Sequence, residues 1–250
     1  LLDKFLASLS TKIIVVSQAV NRRFSWMKNR ETKVKTIYNG INLEEFDPST
    51  DGKIIRMEFG LNSDTPLVGT VGRLDWYKGY PYLLEAARKV VDNVPRCRFL
   101  IVGDGEKRKE LEDLTNKLNL NDNVIFAGSR NDIPEILASL DLFVLSSVSE
   151  GLGRSIIEAM AMQKAVVATN IGGIPEVVKH SVSGILVPAK NADAFAEAII
   201  DLIKNKDKAL KMAIAGRKLA ETKFNLNFNV EKIQNLYFDL FNSDRKDGRA

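Results

Sequence analysis

Residues 146–178 read SSVSEGLGRSIIEAMAMQKAVVATNIGGIPEVV, and this stretch decides the fold. An apolar run at 142–145 precedes it, the glycine turn Gly151-Leu152-Gly153 follows, and a second apolar run occupies 165–168. A strand, a glycine turn and a helix in this order leave free backbone N–H groups at the helix N-terminus, where a phosphate group is held well. The stretch therefore predicts an α/β unit with an anion-binding turn.

Two carboxylates, Glu150 and Glu158, flank the start of the predicted helix. A helical rise of about 1.5 Å per residue places them at most roughly 12 Å apart along the axis. A carboxylate at each end and N–H groups between them suit an elongated ligand, such as a nucleotide sugar with its ribose, diphosphate and sugar hydroxyls. Taken alone, the same spacing also fits two solvated glutamates on an ordinary helix.

Composition limits the class of protein. The chain has 250 residues, 45% of them hydrophobic, and a net charge of +4. This mild positive charge suits an anionic ligand or an acidic membrane surface, but it is too weak to predict binding to nucleic acid. The single cysteine, Cys97, excludes an intrachain disulfide and begins an apolar run, so we expect a buried thiol and a reducing, cytoplasmic location.

Regular alternation of strands and helices begins near Asp51. The strands are short, mostly apolar, and each is followed by a helix, a pattern typical of a doubly wound parallel sheet of the Rossmann type. The predicted strands are 66–72, 97–103, 124–127, 142–145, 165–168 and 184–187. The predicted helices are 52–59, 78–92, 106–118, 133–139, one around Glu158, 192–204, 208–222 and 229–241.

The first 46 residues do not form a complete unit. A strand at 13–16 ends at Ser17, a good N-cap for a helix predicted over 18–29 that carries several basic residues. This helix is interpreted either as a solvated helix with a core-facing stripe or as a basic amphipathic surface that contacts anionic lipid. Because the chain also begins with Leu rather than Met, we expect it to be a fragment of a longer protein. No apolar run approaches the ~18 residues that span a bilayer.

Ligands of open parallel sheets bind at the carboxyl ends of the strands, so the loops there are candidate sites. Arg73 and Lys78 lie in the loop that follows the first regular strand and begins at Gly72. Both cations should face the same crevice as Glu150. Arg130 follows a later strand and is a candidate to stack on a nucleobase.

The chain resembles the donor-binding half of retaining glycosyltransferases of family 4, which have the GT-B fold. The resemblance covers about 34–224 and depends on the number, order and spacing of several motifs that are individually weak. They are YNGIN at 38–42, VGRL at 71–74 with Lys78-Gly79, VGDG at 102–105, FAG at 126–128, SEGL at 149–152 leading to EAMA at 158–161, GGIPE at 172–176 and GILVP at 184–188.

The resemblance implies a role for each candidate residue. Arg73 and Lys78 neutralise the donor diphosphate and stabilise the departing nucleotide, on which negative charge develops in the transition state. Glu150 contacts hydroxyls of the donor sugar, and Glu158 binds those of the ribose. The backbone of Gly151, Leu152 and Gly153 lies near the sugar and phosphate. The implied donor is a UDP-sugar, with a GDP-sugar as the alternative, and no metal or permanently bound cofactor is required.

The same resemblance implies the domain organisation. Residues 1–46 are the end of an N-terminal acceptor domain and a linker, 47–226 the nucleotide-sugar-binding domain, 227–243 a helix that crosses back to the absent half, and 244–250 a disordered tail. The expected acceptor is a glycan or a lipid-linked saccharide, with a peripheral membrane contact through the basic helix. Two alternatives stay open: a non-catalytic module that binds a nucleotide sugar, and a GT-B epimerase that acts on one.

Overall fold

Six short apolar segments form one parallel sheet. The computed structural model describes residues 2–246, and the side chains of residues 4–242. The sheet strands are β3 (Leu67–Val71), β4 (Arg98–Val102), β5 (Val124–Gly128), β6 (Leu142–Leu145), β7 (Ala165–Thr169) and β8 (Ile185–Val187). All neighbouring pairs run parallel, which confirms the predicted α/β class and each predicted strand.

The strand order of this sheet is β5-β4-β3-β6-β7-β8. The chain starts in the middle at β3, builds outward to β5, and then returns to pair β6 with the other side of β3. The carboxyl ends of β3 and β6 therefore mark the point at which the winding reverses. Open α/β sheets bind their ligands in the crevice at this switch point.

Helices cover both faces of the sheet. They are α4 (Lys53–Glu58), α5 (Tyr80–Asn93), α6 (Arg108–Lys117), α7 (Ile133–Ser139), α8 (Arg154–Ala161), α9 (Ile174–Val177), α10 (Ala192–Lys204), α11 (Lys206–Lys223) and α12 (Leu226–Lys246). Alternate residues of one strand enter different cores: Val144 packs with the α5 and α10 side chains, whereas Phe143 and Leu145 pack with those of α7 and α8. Burial on both faces explains why the strands are apolar along their length.

The N-terminal segment forms a separate two-stranded unit. It contains α1 (Leu2–Leu9), β1 (Ile13–Val15), α2 (Gln18–Arg22), α3 (Arg30–Lys33) and β2 (Val34–Thr36), with β1 parallel to β2. The prediction of one helix over 18–29 was wrong, because α2 ends at Arg22. Turns closed by hydrogen bonds between residues three apart follow as far as Met27. Asn21, Phe24, Ser25 and Trp26 are weak helix formers, and burial of Met27 bends the chain back onto β1 and β2.

The helix predicted over 78–92 begins two residues later. Trp76–Lys78 instead form a 3-10 turn, which ends at Gly79 with a left-handed φ of 67°. A Cβ at Gly79 would lie 2.2 Å from the Ser146 carbonyl oxygen, so this position requires glycine for close approach as well as for φ. Lys78 therefore lies in the loop that connects β3 to α5, not on α5 itself.

The C-terminal helix α12 is longer than predicted at both ends. It starts at Leu226 and reaches Lys246, so 244–246 are helical rather than disordered. Residues 247–250, the rest of the expected tail, lie outside the described residues. Cys97 is fully buried, as predicted, and burial raises the pKa of its thiol to about 12.

Candidate functional site

Lys78 and Glu150 form an ion pair at the switch point of the sheet. The Lys78 Nζ lies 2.7 Å from Glu150 Oε2, and only 14% and 16% of the two side chains is exposed. Lys78 follows β3 and Glu150 follows β6, so the pair joins the two central strand ends across the crevice. Its low exposure makes the interaction stronger than that of an ordinary surface pair, and loss of one partner would leave a poorly solvated charge.

Local hydrogen bonds fix the backbone on both sides of this pair. The Ser146 hydroxyl donates to the Lys78 carbonyl at 2.9 Å, and the Val148 N–H donates to the Tyr77 carbonyl at 2.8 Å. The Gly151 N–H donates to Glu150 Oε1 at 3.1 Å, which orients the carboxylate. Lys78 and Glu150 are therefore preorganised by the loops that carry them.

Glycines in two neighbouring turns shape the backbone that follows Glu150. Gly153 has a φ of 87° and stands directly before α8, with the buried Leu152 in front of it. Gly172, at the second glycine turn, has a φ of 56°, and a Cβ there would lie 1.9 Å from the Glu150 carbonyl oxygen. The turn at Gly151, Leu152 and Gly153 thus packs directly against the one at 172–173, which holds the start of α8 in place.

Glu158 lies on the second turn of α8 and is largely buried. Its Oε1 accepts an ion-pair contact from Arg154 Nε at 2.9 Å, while only 12% of the Glu158 side chain is exposed. Burial raises the pKa of this carboxyl, and the Arg154 charge opposes the shift without cancelling it. A buried acid with one exposed cationic partner is a costly arrangement, and such groups cluster at functional sites.

Gly72 and Arg73 directly follow β3. The Tyr80 hydroxyl donates to the Gly72 carbonyl at 3.0 Å, which anchors the strand end to the buried start of α5. Arg73 is exposed, and within the described part of the chain no hydrogen bond or ion pair engages its guanidinium. Arg73 is therefore an exposed cation on the loop that follows β3, and its guanidinium is available to bind an anion.

Arg130 is tied to its neighbours. Its guanidinium binds both oxygens of Glu58, at 2.5 and 2.9 Å, and both oxygens of Asp132, at 2.9 and 2.6 Å. These carboxylates raise the pKa of Arg130 further above its usual value. Since four of the five guanidinium N–H groups are occupied, contact with a nucleobase would use the flat face of the guanidinium.

The N-terminal segment closes one side of the site, which the sequence did not reveal. A cavity of about 150 Å³ lies between α2 and the Glu150 turn and is lined by Arg23, Glu150 and Gly172, among others. The Glu176 carboxylate accepts hydrogen bonds from the Gln18 and Ala19 N–H groups, at 2.8 and 2.7 Å. These contacts span more than 150 positions, so no local signal could have identified them.

Among the described side chains, those of residues 4–242, no group of three or more His, Cys, Asp or Glu is placed to hold a metal ion. The expectation that no metal is required stays a prediction. No helix in the described range combines the length and the apolar character needed to cross a bilayer.

Comparison with known proteins identifies the family. The model of glycosyl transferases group 1 matches residues 51–219, a range that contains every candidate site residue named above. The chain belongs to the glycosyl transferases group 1 family. It is 34% identical over 212 residues to the Escherichia coli UDP-Gal:alpha-D-GlcNAc-diphosphoundecaprenol alpha-1,3-galactosyltransferase, covering 83% of this chain and 54% of that enzyme.

Other group 1 relatives and solved structures agree. An uncharacterized glycosyltransferase of Methanocaldococcus jannaschii is 38% identical over 193 residues, covering 75% of this chain and 49% of the relative. Anabaena HepE, solved with UDP-glucose, superposes with a TM-score of 0.86 at 30% identity and covers 92% of this chain and 64% of HepE. The fold is thus that of GT-B glycosyltransferase structures, and the chain spans about half the length of these two curated relatives.

Proposed function

We propose that this chain is the donor-binding C-terminal part of a family 4 retaining glycosyltransferase. The observation that carries the proposal is the Lys78–Glu150 pair at the β3/β6 switch point, with the exposed cation Arg73 on the same loop as Lys78. A diphosphate group entering the crevice would meet two positive side chains and the N–H groups at the start of α8.

Each site residue has a defined role in this proposal. Arg73 and Lys78 bind the diphosphate and stabilise the charge that develops on the leaving nucleotide. As Lys78 turns toward phosphate, Glu150 is released to accept hydrogen bonds from hydroxyls of the transferred sugar. Glu158 binds the ribose hydroxyls, and its burial strengthens these bonds once the carboxylate is ionised.

The remaining candidates position the donor. The backbone of Gly72 and of Gly151, Leu152 and Gly153 allows the diphosphate and the sugar to approach closely. Arg130 lies at the carboxyl end of β5 and supports the base with its flat face. No resident cofactor or metal takes part, because the two cations supply the positive charge that a metal would otherwise provide.

The donor we propose is a UDP-sugar, with a GDP-sugar as the second choice. HepE was solved with UDP and with UDP-glucose, and the E. coli relative is named for UDP-Gal. A Corynebacterium glutamicum relative, 28% identical, is named as GDP-mannose-dependent, so relatives with each of the two bases occur. The acceptor is a glycan or a lipid-linked saccharide, as the diphosphoundecaprenol in the name of the E. coli relative suggests.

Acceptor binding requires an N-terminal domain, of which residues 1–46 are the end and onto which α12 crosses back. The chain by itself should bind nucleotide and transfer sugar poorly. The enzyme acts in the cytoplasm, and the basic residues around α2 give it a peripheral contact with the membrane face.

Calorimetry of the 250-residue chain with UDP, GDP and ADP tests the proposal. At 100 times its dissociation constant, the preferred nucleotide should raise the free energy of unfolding by about 2.7 kcal/mol. Absence of binding by all three nucleotides at millimolar concentration would refute a donor site. For the full-length enzyme, NMR of the product tests the retaining mechanism, since an inverted anomeric centre would contradict it.

A further inference from the structure

An aromatic cavity adjoins the candidate site on the far side of the 3-10 turn. It has a volume of about 390 Å³ and opens where the turn meets the starts of α5 and α6. Its lining includes Trp76, Tyr82, Glu85, Lys107, Val148 and Lys190. This volume lies within the range of small-ligand sites, and none of the residues proposed to bind the donor lines the cavity.

Trp76 is the most distinctive residue of this cavity. It is 65% exposed, although an indole is among the side chains that gain most from burial. The Asp75 carboxylate accepts a hydrogen bond from the backbone N–H of Trp76. The indole contacts the Tyr77 ring edge-on, with the ring centroids 6.0 Å apart. The turn therefore fixes the backbone of Trp76 while most of its ring stays open to solvent.

The cavity continues along α5. A second cavity, of about 630 Å³, shares Glu85 and Lys190 with the first and extends to Arg88 and Asn191. The two together form a groove, which we call the α5 groove, that starts at Trp76 and is defined by the two linings. An elongated groove suits a chain of several units better than a single small molecule.

The charges of the α5 groove cancel. Four acidic and four basic side chains line it: Asp75, Glu85, Glu110, Asp193, Arg88, Lys89, Lys107 and Lys190. Lys107 pairs with Glu110, and Lys89 pairs with Asp193. Within the described residues, the side chains of Glu85 and Lys190 make no hydrogen bond or ion pair. The groove thus offers many donors and acceptors with little net field, which suits a neutral polyhydroxylated ligand.

We propose that the α5 groove binds an oligosaccharide, as a subsite outside the donor crevice. The indole of Trp76 stacks against the C–H face of a pyranose ring, and Glu85 and Lys190 bind hydroxyls of further units. The choice of a saccharide depends on the proposed function, because Trp76 lies two positions from Lys78 and a glycan held there would stay beside the transfer site. A neutral glycan acceptor would thereby be retained between successive transfers.

Intrinsic fluorescence tests this proposal directly, because the chain contains two tryptophans, Trp26 and Trp76. The W26F variant leaves Trp76 as the reporter. We expect at least one of maltohexaose, isomaltohexaose and chitohexaose to give a saturable change in its emission at millimolar concentration, whereas glucose gives none. Saturation with UDP should not abolish the change, since the two sites are separate.

The W76A variant provides the second measurement. By calorimetry it should bind the responsive hexasaccharide about tenfold more weakly, and E85Q combined with K190M should weaken binding as well. W76A should unfold at the same temperature as the wild-type chain, because Trp76 is exposed. Exposed Lys53, on α4 and in neither lining, supplies the control variant K53A, which should bind like wild type.

The outcomes separate this proposal from the donor-site proposal. A chain that binds UDP but none of the three hexasaccharides, or that binds them equally well as W76A, overturns the α5 groove as a saccharide subsite. A chain that binds a hexasaccharide through Trp76 but binds no nucleotide keeps the groove and refutes the donor site.

Discussion

The hydroxyl of Ser17 donates a 2.6 Å hydrogen bond to the carbonyl oxygen of Gly151. The same Ser17 oxygen accepts from the Val20 N–H at 3.1 Å, so one buried side chain caps α2 and ties it to the glycine turn of the candidate site. The N-terminal segment is thus joined to the loop that we propose contacts the donor. The position of α2 and the shape of the turn should depend on each other.

Ser17→Ala should lower the free energy of unfolding by about 1–2 kcal/mol, because it removes a helix cap and leaves a carbonyl without its buried partner. Urea unfolding measures this change. Ser8→Ala is the matched control, since Ser8 is exposed and its hydroxyl donates to the Phe5 carbonyl of its own helix, a contact within one local element. A change at Ser17 no larger than that at Ser8 would show that the contact with Gly151 contributes nothing.

Glu158→Gln should stabilise the protein near neutral pH and weaken its binding to UDP. The folded pKa of Glu158 is raised by burial, so the folded state binds more protons, and wild-type stability falls as the pH rises through the window between the unfolded and folded pKa values. The gain from Glu158→Gln is therefore present above this window and absent below it.

Urea titrations between about pH 4 and pH 8 measure the stability effect. Glu197→Gln, at an exposed position of α10, should show no such dependence. UDP affinity should fall about tenfold, as expected for loss of a charge-assisted hydrogen bond to ribose. A variant that binds UDP like wild type would remove Glu158 from the proposed site.

Lys164, at the other end of the sheet, should give the free energy of unfolding a second pH dependence, of the opposite sign. Its ammonium donates to the Ala138 and Leu140 carbonyls at 2.7 and 2.9 Å, and burial lowers its pKa to about 8. The pKa of lysine in an unfolded chain is about 10.4. Between the folded and unfolded pKa values the unfolded state binds more protons, so stability rises with pH.

Comparison of wild type with Lys164→Met isolates this contribution. The wild-type free energy of unfolding should rise relative to that of the variant between about pH 8 and pH 10. Lys117→Met, on the exposed side of α6, should leave the slope as it is in wild type. Parallel pH profiles for wild type and Lys164→Met would contradict the depressed pKa.

Much of the fold could be predicted from the sequence because local signals agree with burial. The apolar strands β3 to β8 and the Ser17 cap appear where the residue pattern indicates them. The convergence of Lys78 and Glu150 on one crevice also follows, since both stand at carboxyl ends of strands in a parallel sheet.

The direct Lys78–Glu150 pair could not be predicted, because it depends on the order in which the strands pair. The same holds for Arg130, whose partner Glu58 is 72 positions away, and for Glu176, which binds the start of α2. Each of these contacts is set by tertiary packing and leaves no periodicity or motif in the sequence.

Binding of UDP and of uridine to wild type, Arg73→Ala and Lys78→Met tests the central claim most directly. Thermal unfolding should first show that Lys78→Met is folded, since that variant leaves Glu150 without its partner. We predict that each variant binds UDP at least about tenfold more weakly and uridine equally well, because only UDP carries the diphosphate. Equal affinity of all three chains for UDP, or no measurable UDP binding by wild type, would contradict the account.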